Sequence, residues 1–258
     1  MMTESSQSNQ EQPDPAELAR LLVFSRLDQL TLAVRDRLIP NDAATVRVWS
    51  VFMTSTNGWR RCFRFLKLIL AHYKARAPLN RTAPWEVSTE EVQLDIMSFY
   101  LFAKILLDQA AEWVGFCFDY RWKKKSGSTH VALDIEFEDF INTKQLLSYP
   151  PDLPAAIKDM RERIVEYRND LIEHPREPRM EYGLRWLADG LPSLYPMVTW
   201  PTDADDLDER QRPTEDLQVL LGAVEDYIVA LVAFLERNVM ASVLGPLLRS
   251  PVQPKPPS

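Results

Sequence analysis

Glycine is nearly absent from this chain, seven among 258 residues. That leaves few places for tight turns or closely approaching strands and favours long helices. The apolar residues recur at three- and four-residue spacing, and prolines mark the breaks. Ala16 to Ile39 reads as a helix stopped by Pro40, and Asn41 or Asp42 caps a second through about Thr54. Asn57-Gly58 punctuates, and Trp59 to Arg76 forms a third helix ended by Pro78. Ser88, with Glu91 three residues on, is a capping-box start for a long helix to about Tyr120. Arg121 to Thr129 is a basic, flexible loop, followed by a helix from about Phe137 to Ser148 and another from Ala155 to His174, each ended by proline. Met180 to Pro213 reads as irregular, with a short strand pair around Leu184 and Val198. Thr214 caps the last long helix, apolar at Leu217, Leu220, Leu221, Val224, Tyr227, Ile228 and Leu231. The fold class implied is all-α: one helical bundle of about six to seven helices over 16–250. A polar N-terminal tail, 1–15, and a Pro-rich tail, 251–258, are read as disordered.

Hydrophobic residues make up 46% of the chain, ample for a core, and the formal charge of −7 argues against general affinity for polyanions. Nucleic-acid contact must then come from local basic stripes. Arg60, Arg64, Lys67 and Lys74 fall within about 80° on one face of the third predicted helix. Lys123, Lys124 and Lys125 adjoin a Ser-Gly-Ser turn and Trp122. Either set suits phosphates, and either also suits an ordinary wet surface. Cys62 and Cys117 lie in apolar helical stretches, so they are expected as buried reduced thiols in a cytoplasmic protein. Metal-ligand spacings and phosphate-cradling loops are missing, so no metal or cofactor is expected. Uninterrupted apolar runs fall well short of about 20 residues, so no membrane span is expected.

One charged residue interrupts this pattern. On the Ala155 to His174 helix, Ile157, Met160, Ile164, Val165, Leu171 and Ile172 fall within about 140° at 100° per residue, and Arg168 lies near the centre of that arc. Burying an unpaired guanidinium costs several kcal/mol, roughly, so something must meet it: a carboxylate such as Asp95 or Asp108, a second subunit or an anionic ligand. Six residues on stands His174, able to change charge near neutrality. An arginine, then Asn, Asp or His, then histidine at this spacing arises by chance about 0.1 times in such a chain.

Tyr167-Arg168-Asn169-Asp170-Leu171-Ile172-Glu173-His174 resembles the signature of HEPN domains, helical bundles that in many members are metal-independent endoribonucleases. The stretch Asp95 to Asp108 is similar to the long helix preceding the motif in one HEPN-like group. The resemblance covers roughly 86–174, extended over 86–245 if the last long helix is included. It implies a homodimer in which two motif helices face each other over single-stranded RNA. Arg168 would stabilise charge on the scissile phosphate, His174 would move the proton, and Asn169 would hold the phosphate or orient the histidine. Tyr167, Asp170, Lys104 and Asp108 would support the cleft, and an antitoxin or defence partner protein would restrain it. Some relatives carry a tyrosine two residues after the histidine as a modification site; here that position is Arg176, so this regulation is not carried over. The alternatives are a non-catalytic helical interaction module and a phosphate- or nucleotide-binding bundle.

Overall fold

The computed structural model describes residues 15–38, 43–84, 86–123, 128–145, 148–168, 180–186, 191–198 and 214–249. They form a helical bundle with one β-hairpin, in keeping with the all-α class expected. Residues 1–14 and 251–258 of the expected tails, Pro40 and the lysines 124 and 125 lie outside the described residues, while Pro15, expected in the N-terminal tail, begins the first helix.

Helix α1, Pro15–Arg35, is followed by α2, Ala43–Thr82, a single 40-residue helix where two were expected. Gly58 does not break it. A Cβ there would stand 2.9 Å from Gln109 Oε1, so this glycine permits close approach of the next helix instead of ending its own. Pro78 removes one backbone donor, at a cost of roughly 3 kcal/mol in a helix interior. The last turn nevertheless persists, because Ala77 and Asn80 are buried and Asn80 Nδ2 donates to the Val87 carbonyl at 2.9 Å.

Helix α3, Thr89–Cys117, begins with the expected capping box: Ser88 Oγ accepts from Glu91 N at 3.3 Å and Glu91 Oε2 accepts from Ser88 N at 2.8 Å. It lies antiparallel to α2, as the pairs Gly58 with Gln109, Phe65 with Phe102 and His72 with Asp95 show. Trp59 and Trp113 meet between them with ring centroids 4.6 Å apart.

After α3 the chain doubles back. Trp122 Nε1 donates to the Ala111 carbonyl at 3.2 Å, and a Cβ on Gly115 would come within 2.9 Å of that indole nitrogen. The doubling back carries Ser128 to Asp108, where α4, Thr129–Lys144, starts eight residues earlier than expected. The reason is a cap supplied from elsewhere in the sequence. Asp108 Oδ1 accepts from Ser128 Oγ at 2.6 Å and from His130 N at 3.0 Å, while Ser128 itself makes no capping bond.

Helix α5, Leu153–Met160, widens into a π-helical segment, Arg161–Glu166, where a continuous α-helix was expected. The hairpin pairs β1, Met180–Trp186, with β2, Pro192–Val198, antiparallel, with Leu184 opposite Leu194 and Val198 opposite Met180. This is where the sequence placed a strand pair. Tyr73 donates its hydroxyl to the Pro192 carbonyl, and the Arg81 guanidinium lies 5.6 Å from the Trp186 ring centroid, so α2 holds the hairpin.

Helix α6, Leu217–Asn238, is the central element, and all seven apolar positions expected to face the core are buried. Its cap is Asp216, not Thr214: Asp216 Oδ1 accepts from Gln218 N at 2.7 Å and Val219 N at 3.0 Å, whereas Thr214 is itself buried. Ion pairs Arg20–Asp226 and Arg26–Glu236 set α1 parallel to α6, and the contacts Lys67–Glu225 and Lys74–Gln218 set α2 antiparallel. Leu217–Ala241 is, among the described residues, the one stretch long and apolar enough to cross a membrane, which counting uninterrupted runs did not reveal. Its best window has mean hydropathy 1.8 and is 56% buried within the bundle. A short helix α7, Gly245–Arg249, closes the described chain.

Candidate functional site

The segment leading to Arg168 is fastened on three sides. Arg161 Nη1 donates to Asp134 Oδ2 of α4 at 2.8 Å. Arg163 Nε donates to the Glu215 carboxylate at 3.0 Å and its Nη1 to Asp159 at 3.0 Å, and hydrogen bonding to Glu215 raises the guanidinium pKa further. Tyr167 is buried and stacks on Tyr100 of α3, with centroids 4.6 Å apart and planes at 24°. Burial is the chief cause pushing the Tyr100 hydroxyl pKa up.

A π-helical turn holds one extra residue, so the positions beyond it lag by up to about 100° relative to a regular helix. The expected register is corrected accordingly: Arg168, placed by periodicity at the centre of the apolar face, is half-buried at its margin. Tyr167, expected to support the cleft, is a buried contact of α3. Asn169, Asp170 and His174 lie outside the described residues.

Of the carboxylates considered as partners for Arg168, Asp95 binds His72 Nδ1 at 3.0 Å and sits 3.6 Å from Arg76 Nη1. Asp108 pairs with Lys104 at 2.6 Å and caps α4. Lys104 and Asp108, expected to support the cleft, thus form an i,i+4 ion pair tied to a neighbouring helix start.

The basic stripe of α2 is largely turned to other helices. Arg60 Nη2 donates to the Phe24 carbonyl at 3.2 Å and to Asp28 of α1, its guanidinium 5.6 Å from the Phe24 ring centroid. Lys67 pairs with Glu225 at 3.3 Å and lies 4.6 Å from the Phe63 ring centroid, and Lys74 donates to Gln218 at 2.7 Å. Arg64 is exposed. Lys123 is exposed, 3.7 Å from Asp139, with its backbone N–H donating to Glu136 at 2.9 Å. Beside it opens a cleft of about 360 Å³ lined by Glu112, Phe116, Tyr120, Arg121, Trp122 and Thr129.

Two polar clusters stand apart from the motif, each built on a histidine, His72 or His130, that follows no arginine at the motif spacing. His72, Arg76, Glu91 and Asp95 meet across the α2–α3 seam, with the Asp95 side chain 10% exposed and the His72 side chain 58% exposed. Their signal was two i,i+4 pairs of opposite sign on successive helices. His130 is fully buried. A carbonyl can only accept, so Nε2–H donates to Ile157 O at 3.0 Å, leaving Nδ1 to accept from the Tyr227 hydroxyl at 3.2 Å. Burial brings its pKa down to about 4.

Cys62 and Cys117 are buried free thiols, and burial raises the pKa of both. Among the described residues no three His, Cys, Asp or Glu side chains gather as a metal site. Comparison of the chain with protein-family models, with curated proteins and with solved structures gave no significant match.

Proposed function

We propose that this chain is a metal-independent endoribonuclease in which Arg168 and His174, joined by the same pair from a second copy, act on the sugar-phosphate link of single-stranded RNA. The observation that carries the reading is the position of Arg168. It is half-buried at the margin of the bundle, at the end of a π-helical turn and directly after a tyrosine pinned by stacking. Wide turns of this kind concentrate at functional sites. A guanidinium held at a margin meets a phosphate without the full desolvation cost of a buried charge.

In this reading the ribose 2′-oxygen attacks phosphorus, the bond to the 5′-oxygen breaks, and a 2′,3′-cyclic phosphate forms. Histidine takes the 2′-OH proton or supplies one to the leaving oxygen. Arg168 balances the charge building on the phosphoryl oxygens, and Asn169 positions the phosphate. The likeness of 167–174 to the HEPN signature supports the assignment, as does an aromatic-lined cleft that includes Arg121. Purified protein is expected to cut single-stranded RNA in the presence of EDTA, leaving cyclic or 3′-phosphate ends. Arg168→Ala and His174→Ala are each expected to abolish cutting at unchanged melting temperature. Full cleavage by both variants would refute the assignment.

A second reading, a helical interaction module without chemistry, is favoured by one observation: Leu68 of α2 and Leu94 of α3 are 65% and 63% exposed.

A further inference from the structure

Where α3 ends, the backbone reverses and builds a cleft. Asp119 adopts a left-handed conformation, φ 48°, uncommon outside glycine, and Lys144 Nζ donates to its carbonyl at 2.7 Å. The reversal lays residues 120–122 back along α3, with Tyr120 N donating to the Gly115 carbonyl at 2.8 Å. The two rings that arrive there have their polar ends satisfied within the protein. Trp122 Nε1 donates to the Ala111 carbonyl, and the Tyr120 hydroxyl donates to Glu136 at 3.4 Å. The rings pack edge to face with centroids 4.9 Å apart, and both meet Phe140 in the same manner. Gly115 and Ala132, buried and with little or no side chain, leave the space between these walls open, about 360 Å³. That volume suits one small ligand.

We propose that this cleft binds a guanosine monophosphate unit, its base against the rings, its Watson–Crick edge at Glu112 and its phosphate at Arg121. Phe116 and Trp122 are half-buried and offer flat apolar area for stacking. Tyr120 is nearly covered, so two rings remain, enough to stack a flat base and too few to enclose a cation. Glu112 and Arg121 are exposed charges of opposite sign on the same cleft, and neither forms an ion pair among the described residues; Glu112 accepts from Thr129 Oγ1 at 3.4 Å.

The carboxylate selects the base. An ionised carboxylate only accepts hydrogen bonds, and guanine presents two adjacent donors, N1–H and N2–H, that it takes together. Adenine and cytosine each set a ring-nitrogen acceptor beside their amino group, and uracil flanks its N–H with two carbonyls, so each brings an acceptor against the carboxylate. The guanidinium of Arg121 completes the match by taking the phosphate oxygens.

As a subsite for an RNA strand the inference rests on the ribonuclease reading; binding of the mononucleotide does not. Glu112 and Phe116 stand 12 and 16 residues beyond Tyr100, which holds the Arg168 segment, and so about 18–24 Å further along α3. A base in the cleft therefore belongs to a nucleotide removed from the link that Arg168 would act on.

The test is isothermal titration calorimetry of the full chain with 5′-GMP, 5′-AMP and 5′-IMP, the last differing from GMP only in lacking the 2-amino group. GMP is expected to bind with a dissociation constant of about 10–500 µM, AMP about 10-fold or more weaker and IMP several-fold weaker. Glu112→Gln is expected to weaken GMP about 10-fold and leave AMP unchanged. Arg121→Ala is expected to weaken all three nucleotides alike and leave guanosine unchanged. Both side chains are exposed, so both variants are expected to melt as wild type does, and Arg168→Ala is expected to bind GMP normally. No saturable GMP binding at about 5 mM, equal affinity for GMP and AMP, or a guanine preference that survives Glu112→Gln would overturn the proposal, as would tighter binding of trimethyllysine than of GMP. Preferential cutting of guanosine-bearing strands, lost in Glu112→Gln, would place the unit within RNA; GMP binding without that preference would make the free nucleotide the ligand. RNA cutting by a protein that does not bind GMP would strike this inference alone, and GMP binding by a protein that does not cut would strike the ribonuclease reading alone.

Discussion

Acidification is expected to destabilise the bundle through one imidazole. His130 is 0% exposed, donates through Nε2 to Ile157 of α5 and accepts at Nδ1 from Tyr227 of α6, so in the fold it is neutral. Its pKa falls from the usual 6.5 to about 4, chiefly because burial penalises the cation. The unfolded chain therefore binds this proton at higher pH than the folded chain does. The stabilisation is complete above the unfolded value of about 6.5, declines as pH falls towards 4, and is lost below the folded value. A difference of this size corresponds to about 3 kcal/mol, a large part of a typical domain's stability. Carboxylates also titrate in this window, so urea unfolding of wild type and His130→Gln should be compared at steps from about pH 7.5 to about pH 4. The variant is expected to be less stable at neutral pH because it disturbs a satisfied buried network, and the gap to wild type is expected to narrow by about 3 kcal/mol at the acid end. NMR titration of the folded wild type checks the same quantity directly. An imidazole titrating near 6.5 in the fold, or parallel stability curves for the two proteins, would refute the reasoning.

Asp108→Ala leaves the first turn of α4 without its cap and Lys104 without its partner, and is expected to cost about 1–2 kcal/mol by chemical denaturation. Gly115→Ala is expected to destabilise by about 1–3 kcal/mol, since its Cβ would stand 2.9 Å from both Trp122 Nε1 and the Tyr120 carbonyl. Gly222→Ala, which meets nothing within 4 Å on an α-helix, is expected to stabilise by about 0.5–1 kcal/mol, seen as a rise in melting temperature. Tyr167→Ala is expected to cost about 3 kcal/mol or more by removing the stacked ring under the Arg168 segment.

What could be read from the sequence was what local pattern controls. The capping box at Ser88, the core stripe of α6 and the strand pair around 184 and 198 each rest on residues a few positions apart, and each stands in the structure. The errors share a different cause. Gly58 reads as a break, and only the presence of Gln109 from α3 makes it a packing site inside an unbroken helix. The start of α4 is fixed by Asp108, about 20 positions upstream, which no capping rule applied to Ser128 or Thr129 reveals. At the candidate site, periodicity identified Arg168 as anomalous but assumed 3.6 residues per turn throughout. The π-helical turn at 161–166 breaks that assumption, and the arginine moves to the margin. The stripe of Arg60, Lys67 and Lys74 was legible as a stripe; that it faces α1 and α6 depends on helices distant in the chain.

The wide turn has a consequence for how the chain tolerates change in length. Residues 161–166 accommodate one amino acid more than a regular coil would, so excising a single position there would rewind the segment and carry the guanidinium of Arg168 inward over the leucine- and isoleucine-lined centre of the bundle. Most helices suffer from a one-residue deletion by losing phase along their whole downstream length. Here the loss would fall first on Arg168, a cation that the native phase keeps at the border between oil and water.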